Sequence, residues 1–255
     1  MTKMYFDQWD SGGKTICASI HPTTQAGRPW VVIAHGFTAD RIGKDYLLAK
    51  LSKYFAHKAI ASLRFDFAGC GESEGEFHEM NMTSMRDNLL SAINYVRKRF
   101  VPSKLILLGH SLGGSVCALL ATRAGADGVV LLAPVARPFE LFNRLKKDVV
   151  QQGKNSSGFY EYGPHQMRED FLSDAAHYDP LRDMTQFHGR LLVIHGDSDQ
   201  SAPIHESETC VHHAETAGID CRYYRIKNAD HNFSTVSQTR IVFEHIGDWI
   251  EELCA

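Results

Sequence analysis

The 255-residue chain has no apolar run approaching the roughly 18 residues of a membrane-spanning helix, so nothing in it reads as a transmembrane segment. It has no C-x-x-C pair among Cys17, Cys70, Cys117, Cys210, Cys221 and Cys254, which argues against a thiol redox motif or a cysteine zinc site. Charge of one sign is also missing: 27 Lys and Arg stand against 30 Asp and Glu, net −3. That balance excludes a polyanion-binding surface of the kind that holds nucleic acid, and points to a small-molecule partner. The opening residues, Met1 to Asp10, are polar with no apolar signal-peptide core, so reduced thiols in a cytoplasmic protein are expected. There is no internal repeat and no low-complexity tail.

What the chain does have is a recurring rhythm of short apolar runs. They fall at Thr15-Ile20, Trp30-Ala34, Ile60-Phe65, Leu105-Leu108, Gly128-Leu132, Leu191-Ile194 and Cys221-Ile226, with an earlier candidate at Lys3-Gln8. Several are unbroken rather than alternating, as strands covered on both faces require. Helical patterns at Tyr46-Phe55, Met82-Phe100, Val116-Arg123, Glu206-Ala217 and Ile241-Glu252 supply the covers. The expected fold class is therefore α/β: a mostly parallel eight-stranded sheet with helices on both faces and an antiparallel hairpin at its edge. Such a domain buries roughly three quarters of the surface that its unfolded chain exposes.

One stretch breaks the rhythm. More than fifty residues separate the run ending near Ala133 from the one starting at Leu191, far more than a crossover needs. The expected organisation is a core of residues 1–133 and 181–255 with an inserted cap at 134–180. The cap also offers a surface through which two subunits could pair as a homodimer. Its aromatic residues Phe139, Phe142, Phe159, Tyr160, Tyr162 and Phe171, together with Leu141, are candidates for a substrate-binding wall, because discriminating acyl or alcohol groups needs a concave, mostly apolar surface.

The strongest chemical signal is Gly109-His110-Ser111-Leu112-Gly113, between an apolar run and a small-residue helix. Glycines two positions either side of a serine permit a strand-to-helix turn sharp enough to lift its hydroxyl clear of the sheet. The alternative is a serine that caps the helix beginning near Leu112. A nucleophilic serine needs a base and the base needs an orienting acid. His231 follows the last strand, where its loop can reach back over the sheet. His195-Gly196-Asp197-Ser198-Asp199 offers two carboxylates just past a buried strand; Asp199 lies deeper in the loop, whereas Asp197 is placed to hold the turn. Asp199 is the expected acid and Asp230 is given a structural role. The oxyanion would be held by the backbone amides of Leu112, after the nucleophile, and Phe37, in His35-Gly36-Phe37-Thr38. His35 itself reads as a loop-fixing residue, and Arg64 and Asp66 as a structural ion pair. Gly69 to Gly75 lacks dinucleotide-binding spacing, and His205, His212 and His213 lack a metal-binding arrangement.

On these segments, with Arg64 to Phe77, Leu131-Leu132-Ala133-Pro134 and Asp230-His231 added, the chain resembles the α/β-hydrolase superfamily over essentially its whole length. Within it, the chain is similar to small esterases that include bacterial cinnamoyl (feruloyl) esterases. The resemblance implies Ser111, Asp199 and His231 as a catalytic triad and Phe37 and Leu112 as oxyanion donors. It implies ester cleavage by a serine carboxylesterase; the reaction expected passes through an acyl-enzyme without a cofactor or metal, and the apolar wall, which discriminates weakly by shape, suits small to medium acyl or aryl esters. Thioester hydrolysis by the same residues is the alternative.

Overall fold

The computed structural model describes residues 3–23, 25 and 27–255, the side chains at 148 and 172 apart. Its centre is an eight-stranded sheet built from β1 (Tyr5–Asp10), β2 (Thr15–His21), β3 (Trp30–Ala34), β4 (Ala61–Phe65), β5 (Leu105–His110), β6 (Gly128–Leu132), β9 (Arg190–Gly196) and β10 (Cys221–Ile226). The spatial order is β1-β2-β4-β3-β5-β6-β9-β10. β1 and β2 form the expected antiparallel edge hairpin, β2 meets β4 antiparallel, and every pair from β4 to β10 is parallel. The parallel strands β3 to β6 are buried along their whole length, which is why they read as unbroken apolar runs.

Successive side chains of each strand point to opposite faces, so Val31 and Ile33 join one core while Val32 and Ala34 join the other. The first core is closed by α1 (Leu47–His57) and α8 (Val236–Cys254) through Leu51, Phe55, Ile246 and Ile250. The second is closed by α2 (Met82–Phe100), α3 (Leu112–Leu120) and α7 (His205–Thr216) through Leu89, Val116 and Cys210. Parallel connections bring the C-terminal ends of β3, β5, β9 and β10 to one edge, where open α/β sheets place their ligands.

The long connection between β6 and β9 carries α4 (Pro138–Gln152), a separate two-stranded hairpin of β7 (Tyr160–Tyr162) and β8 (His165–Met167), α5 (Asp170–Ala175) and α6 (Pro180–Met184). It is fastened at two points. Asp174 accepts hydrogen bonds from the Thr83 amide at 2.9 Å and hydroxyl at 2.5 Å on α2. Glu206 on α7, buried, accepts from the Ala136 amide at 2.9 Å and pairs with Arg144 of α4 at 3.6 Å.

Two local expectations need correction. Asp66 is paired not with Arg64 but with buried Arg41, whose guanidinium also reaches Glu72. Arg64 instead donates to the Arg41 carbonyl at 2.7 Å, since the Asp66 oxygens are taken by the Arg41 amide and guanidinium and by the Glu72 amide. Helix α3 starts at Leu112, as the serine-cap alternative had it, but ends at Leu120, short of the helical pattern's end at Arg123, because residues 121–125 form a turn.

Candidate active site

Ser111 stands between β5 and α3 with φ 55° and ψ −126°, a region that non-glycine residues occupy at a cost of about 1–3 kcal/mol. The surrounding backbone holds it there. Its amide donates to the Leu132 carbonyl at 2.9 Å, and its own carbonyl accepts from Gly114 at 2.9 Å. A methyl group at Gly113 would collide with the carbonyl oxygens of Ala34 and His35, and one at Gly109 with the carbonyl of Gly113, so the spacing of glycines lets helix and strands approach. The Ser111 hydroxyl makes no capping bond to α3, which removes the helix-cap alternative.

His231 lies in the loop between β10 and α8, and its Nδ1–H donates to Asp199 Oδ2 at 2.6 Å. Asp199, buried past β9, is pinned through Oδ1 by the amides of Ser201 at 2.7 Å and Ala202 at 2.9 Å. Burial works against its charge, but hydrogen bonds from His195 and His231 prevail and hold the carboxyl well below the usual carboxylate range. It is therefore an anion able to stabilise an imidazolium. The turn-holding amide contacts expected of Asp197 belong to Asp199. Asp197 instead accepts from the Asn228 amide at 2.6 Å and stitches the loop after β9 to the loop after β10. Asp230 accepts from Asn232 and Ser234, away from the imidazole.

A further residue, unmarked in the sequence, holds the His231 backbone. His110, buried next to Ser111, donates Nε2–H to the His231 carbonyl at 2.9 Å. Burial first, and then the neighbouring His231, push its pKa down to about 3, so it stays a neutral donor. The signal was present as a histidine at the buried end of a strand.

Phe37 follows β3 by three residues and lines the same cavity as Ser111, and Leu112 is the first residue of α3, directly after Ser111. His35 behind them is fully buried. Its Nδ1–H donates to the Gly36 carbonyl at 2.8 Å and its Nε2 accepts from the Phe67 amide at 3.1 Å, the loop-fixing arrangement read from the sequence.

Ser111 and His231 open into one cavity of about 770 Å³. Its lining combines Phe37, Val135, Leu141, Leu145 and Tyr162 with the polar residues Asp40, Lys44, Gln200 and Asn232. Of the six aromatic residues expected to line it, only Tyr162 does. Phe142 and Phe171 are buried and pack their rings 5.5 and 5.4 Å from Phe37, behind the wall. Tyr160 is buried, Phe159 lies 4.4 Å from His78, and Phe139 borders a separate depression with Tyr178 and Leu181. Most of the connection's large rings pack away from the cavity, where Tyr162 is joined by the aliphatic Val135, Leu141 and Leu145. Leu145 was missed, although Leu141 and Leu145 four apart share one face of α4.

Fold and site define an α/β-hydrolase-fold serine hydrolase. A family model described as serine aminopeptidase, S33, matches residues 25–159, more than half of the chain, and the chain belongs to that family. The human palmitoyl-protein thioesterase ABHD10, mitochondrial (Homo sapiens), is 27% identical over 236 residues, covering 88% of this chain and 74% of the relative. Esterase EstD of Thermotoga maritima is 30% identical over 116 residues, 44% of this chain and 28% of its own. Among solved structures, Est1E from Butyrivibrio proteoclasticus with ferulic acid bound superposes with a TM-score of 0.80 at 19% identity, covering 97% of this chain and 98% of that one. At that identity the likeness concerns the fold alone.

Proposed function

We propose that the protein is a serine carboxylesterase in which Ser111, His231 and Asp199 form the triad and the Phe37 and Leu112 amides form the oxyanion hole. The observation that carries this reading is the 2.6 Å bond from His231 to a buried, anionic Asp199, in a cavity shared with a strained Ser111. His231 takes the Ser111 proton as Oγ attacks the ester carbonyl, and the two amides hold the oxyanion. The imidazolium then gives its proton to the departing alcohol, leaving an acyl-serine. Water, deprotonated by the same imidazole, attacks the acyl-serine, and the imidazolium returns its proton to Ser111 Oγ as the acid leaves. No cofactor enters this sequence.

Within the β6–β9 connection, residues 134–180 are the cap in this proposal, and its aliphatic wall takes the acyl group. Val135, Leu141 and Leu145 offer shape rather than polar recognition, which suits small to medium acyl or aryl groups, cinnamoyl and feruloyl esters among them. The ferulic acid bound by Est1E, a protein of the same fold, supports including aryl acyl groups. A second reading is acyl thioester hydrolysis by the same residues. It is favoured by the thioesterase relative, whose match extends over 88% of the chain.

A cytoplasmic location is retained in the proposal: all six cysteines are unpaired, as a reducing compartment would keep them. Among the described residues no helix is long and apolar enough to cross a membrane. The experiment is a panel of matched substrates that varies acyl length, aryl acyl groups, and ester against thioester and amide. Higher kcat/KM for esters supports carboxylesterase action. A consistent preference for thioesters selects the second reading, and turnover of amides alone contradicts both.

A further inference from the structure

His195 occupies β9 four residues before Asp199, with its side chain fully buried. A buried imidazole has to find partners for its nitrogens, and both are paired. Nε2 faces two acceptors, the Ala202 carbonyl at 2.8 Å and Asp199 Oδ2 at 3.1 Å. Neither can donate, so Nε2 carries the hydrogen, bonded to the Ala202 carbonyl with Asp199 Oδ2 close beside it. Nδ1 lies 2.6 Å from the hydroxyl of buried Ser207 on α7, which supplies the hydrogen and selects the tautomer. The Asp199 oxygen reached by His195 is also the one that receives His231 Nδ1–H at 2.6 Å.

We propose that His195 is a positioning residue for the reaction: its Nε2–H fixes Asp199 Oδ2 and shares its charge, so that His231 meets an oxygen both immobile and less basic than a lone carboxylate. The inference rests on the triad assigned above. Asp199 Oδ1 is held by two backbone amides, whereas Oδ2 depends on the two histidines. An apolar side chain in place of His195 would fill the space but leave Oδ2 and the Ala202 carbonyl short of a donor. Ser207 acts one bond further out. The other titratable groups around the carboxylate are His231 from the β10–α8 loop and His110 from β5. Glu206, beside Ser207 on α7, is turned toward the Ala136 amide and Arg144.

The test compares His195→Leu, His195→Gln and Ser207→Ala with the unmodified protein on a short aryl ester, each rate expressed per site labelled by a serine-directed fluorophosphonate. A misplaced acid slows the chemical step by up to about a hundredfold, so His195→Leu should lose kcat on that scale with KM nearly unchanged. With the carboxylate charge less shared, the acid limb of its kcat/KM profile should rise by about half a unit or more. His195→Gln, whose amide can restore an N–H donor, should recover most of kcat and the original limb. Ser207→Ala removes only a hydroxyl and should give a smaller loss with the same upward shift. If His195→Leu and Ser207→Ala keep wild-type kcat per labelled site and a wild-type pH profile, whatever their melting temperatures, His195 only fills space and the inference is overturned. An unmodified protein that is folded but takes no label at Ser111 overturns both the triad and this inference.

Discussion

At Asp199 one carboxylate does two jobs, holding its own turn through Oδ1 and facing His231 through Oδ2, while Asp197 ties two loops together. The two aspartates should therefore fail differently. Asp199→Asn keeps the shape but loses the charge and favours the wrong imidazole tautomer, a change that lowers turnover by up to about ten-thousandfold in a serine protease. We expect a fall of several orders of magnitude in kcat with the melting temperature little altered. Asp197→Asn should cost mainly stability, on the order of 1 kcal/mol, because the Asn228 amide keeps only a neutral acceptor. Paired kinetics and thermal melts of the two variants check this, and a larger kcat loss in Asp197→Asn would exchange their roles. The choice between the aspartates was legible from depth in the loop, but the reason was not: the amides that fix Asp199 belong to Ser201 and Ala202, and only the folded turn aims them at Oδ1. The roles of His110 and His195 were hidden for a related reason, since each depends on a partner distant in sequence or on a turn not yet formed.

At the scale of elements, α4 contributes Leu141 and Leu145 to the cavity that holds Ser111, both partly buried. Leu145→Ala should widen the apolar side of the cavity and shift the ratio of kcat/KM for octanoyl over butanoyl esters upward by about tenfold or more, the scale on which methylene-sized differences are discriminated. Fluorophosphonate labelling should be unchanged, and an unaltered ratio would move acyl selection to the strand-end loops. The central parallel strands were readable because burial on both faces leaves continuous apolar runs. The helix ends were less so. α8 begins at Val236, ahead of Ile241, because Thr235 and Gln238 form a reciprocal capping box before the apolar pattern sets in. α3 begins at Leu112 as read, but it stops at Leu120, short of Arg123, where residues 121–125 turn. In the connection over the site, aromatic residues dominated the pattern, yet Phe142 and Phe171 serve mainly to clamp Phe37.

For the whole molecule, the buried histidines make stability depend on acid. Burial, followed by the charges of Arg64 and Lys53, pushes His21 down to about 4, and burial with the neighbouring His231 pushes His110 down to about 3. His35 is lowered as well, by burial against the opposing hydrogen bond to the Gly36 carbonyl. An unfolded histidine takes its proton near pH 6.5, so between about 6.5 and 3 the unfolded chain binds more protons and stability falls as the pH falls. Asp199 adds to this below about pH 4, where the unfolded carboxyl protonates while the folded one resists. The urea midpoint should therefore drop steadily from pH 7 to pH 4, and His21→Gln should reduce the proton uptake on unfolding by about one. A midpoint independent of pH over that range would contradict these assignments.

The central claim is that Ser111 is the nucleophile and His231 its base. The measurement that addresses it most directly is intact-mass analysis and peptide mapping after brief exposure to a fluorophosphonate. One adduct, on Ser111, is predicted; it should be absent from Ser111→Ala and strongly slowed in His231→Ala, with both variants folded and unable to turn over a short aryl ester. A folded wild-type protein that stays unlabelled, an adduct on another residue, or full ester hydrolysis by Ser111→Ala would contradict the account.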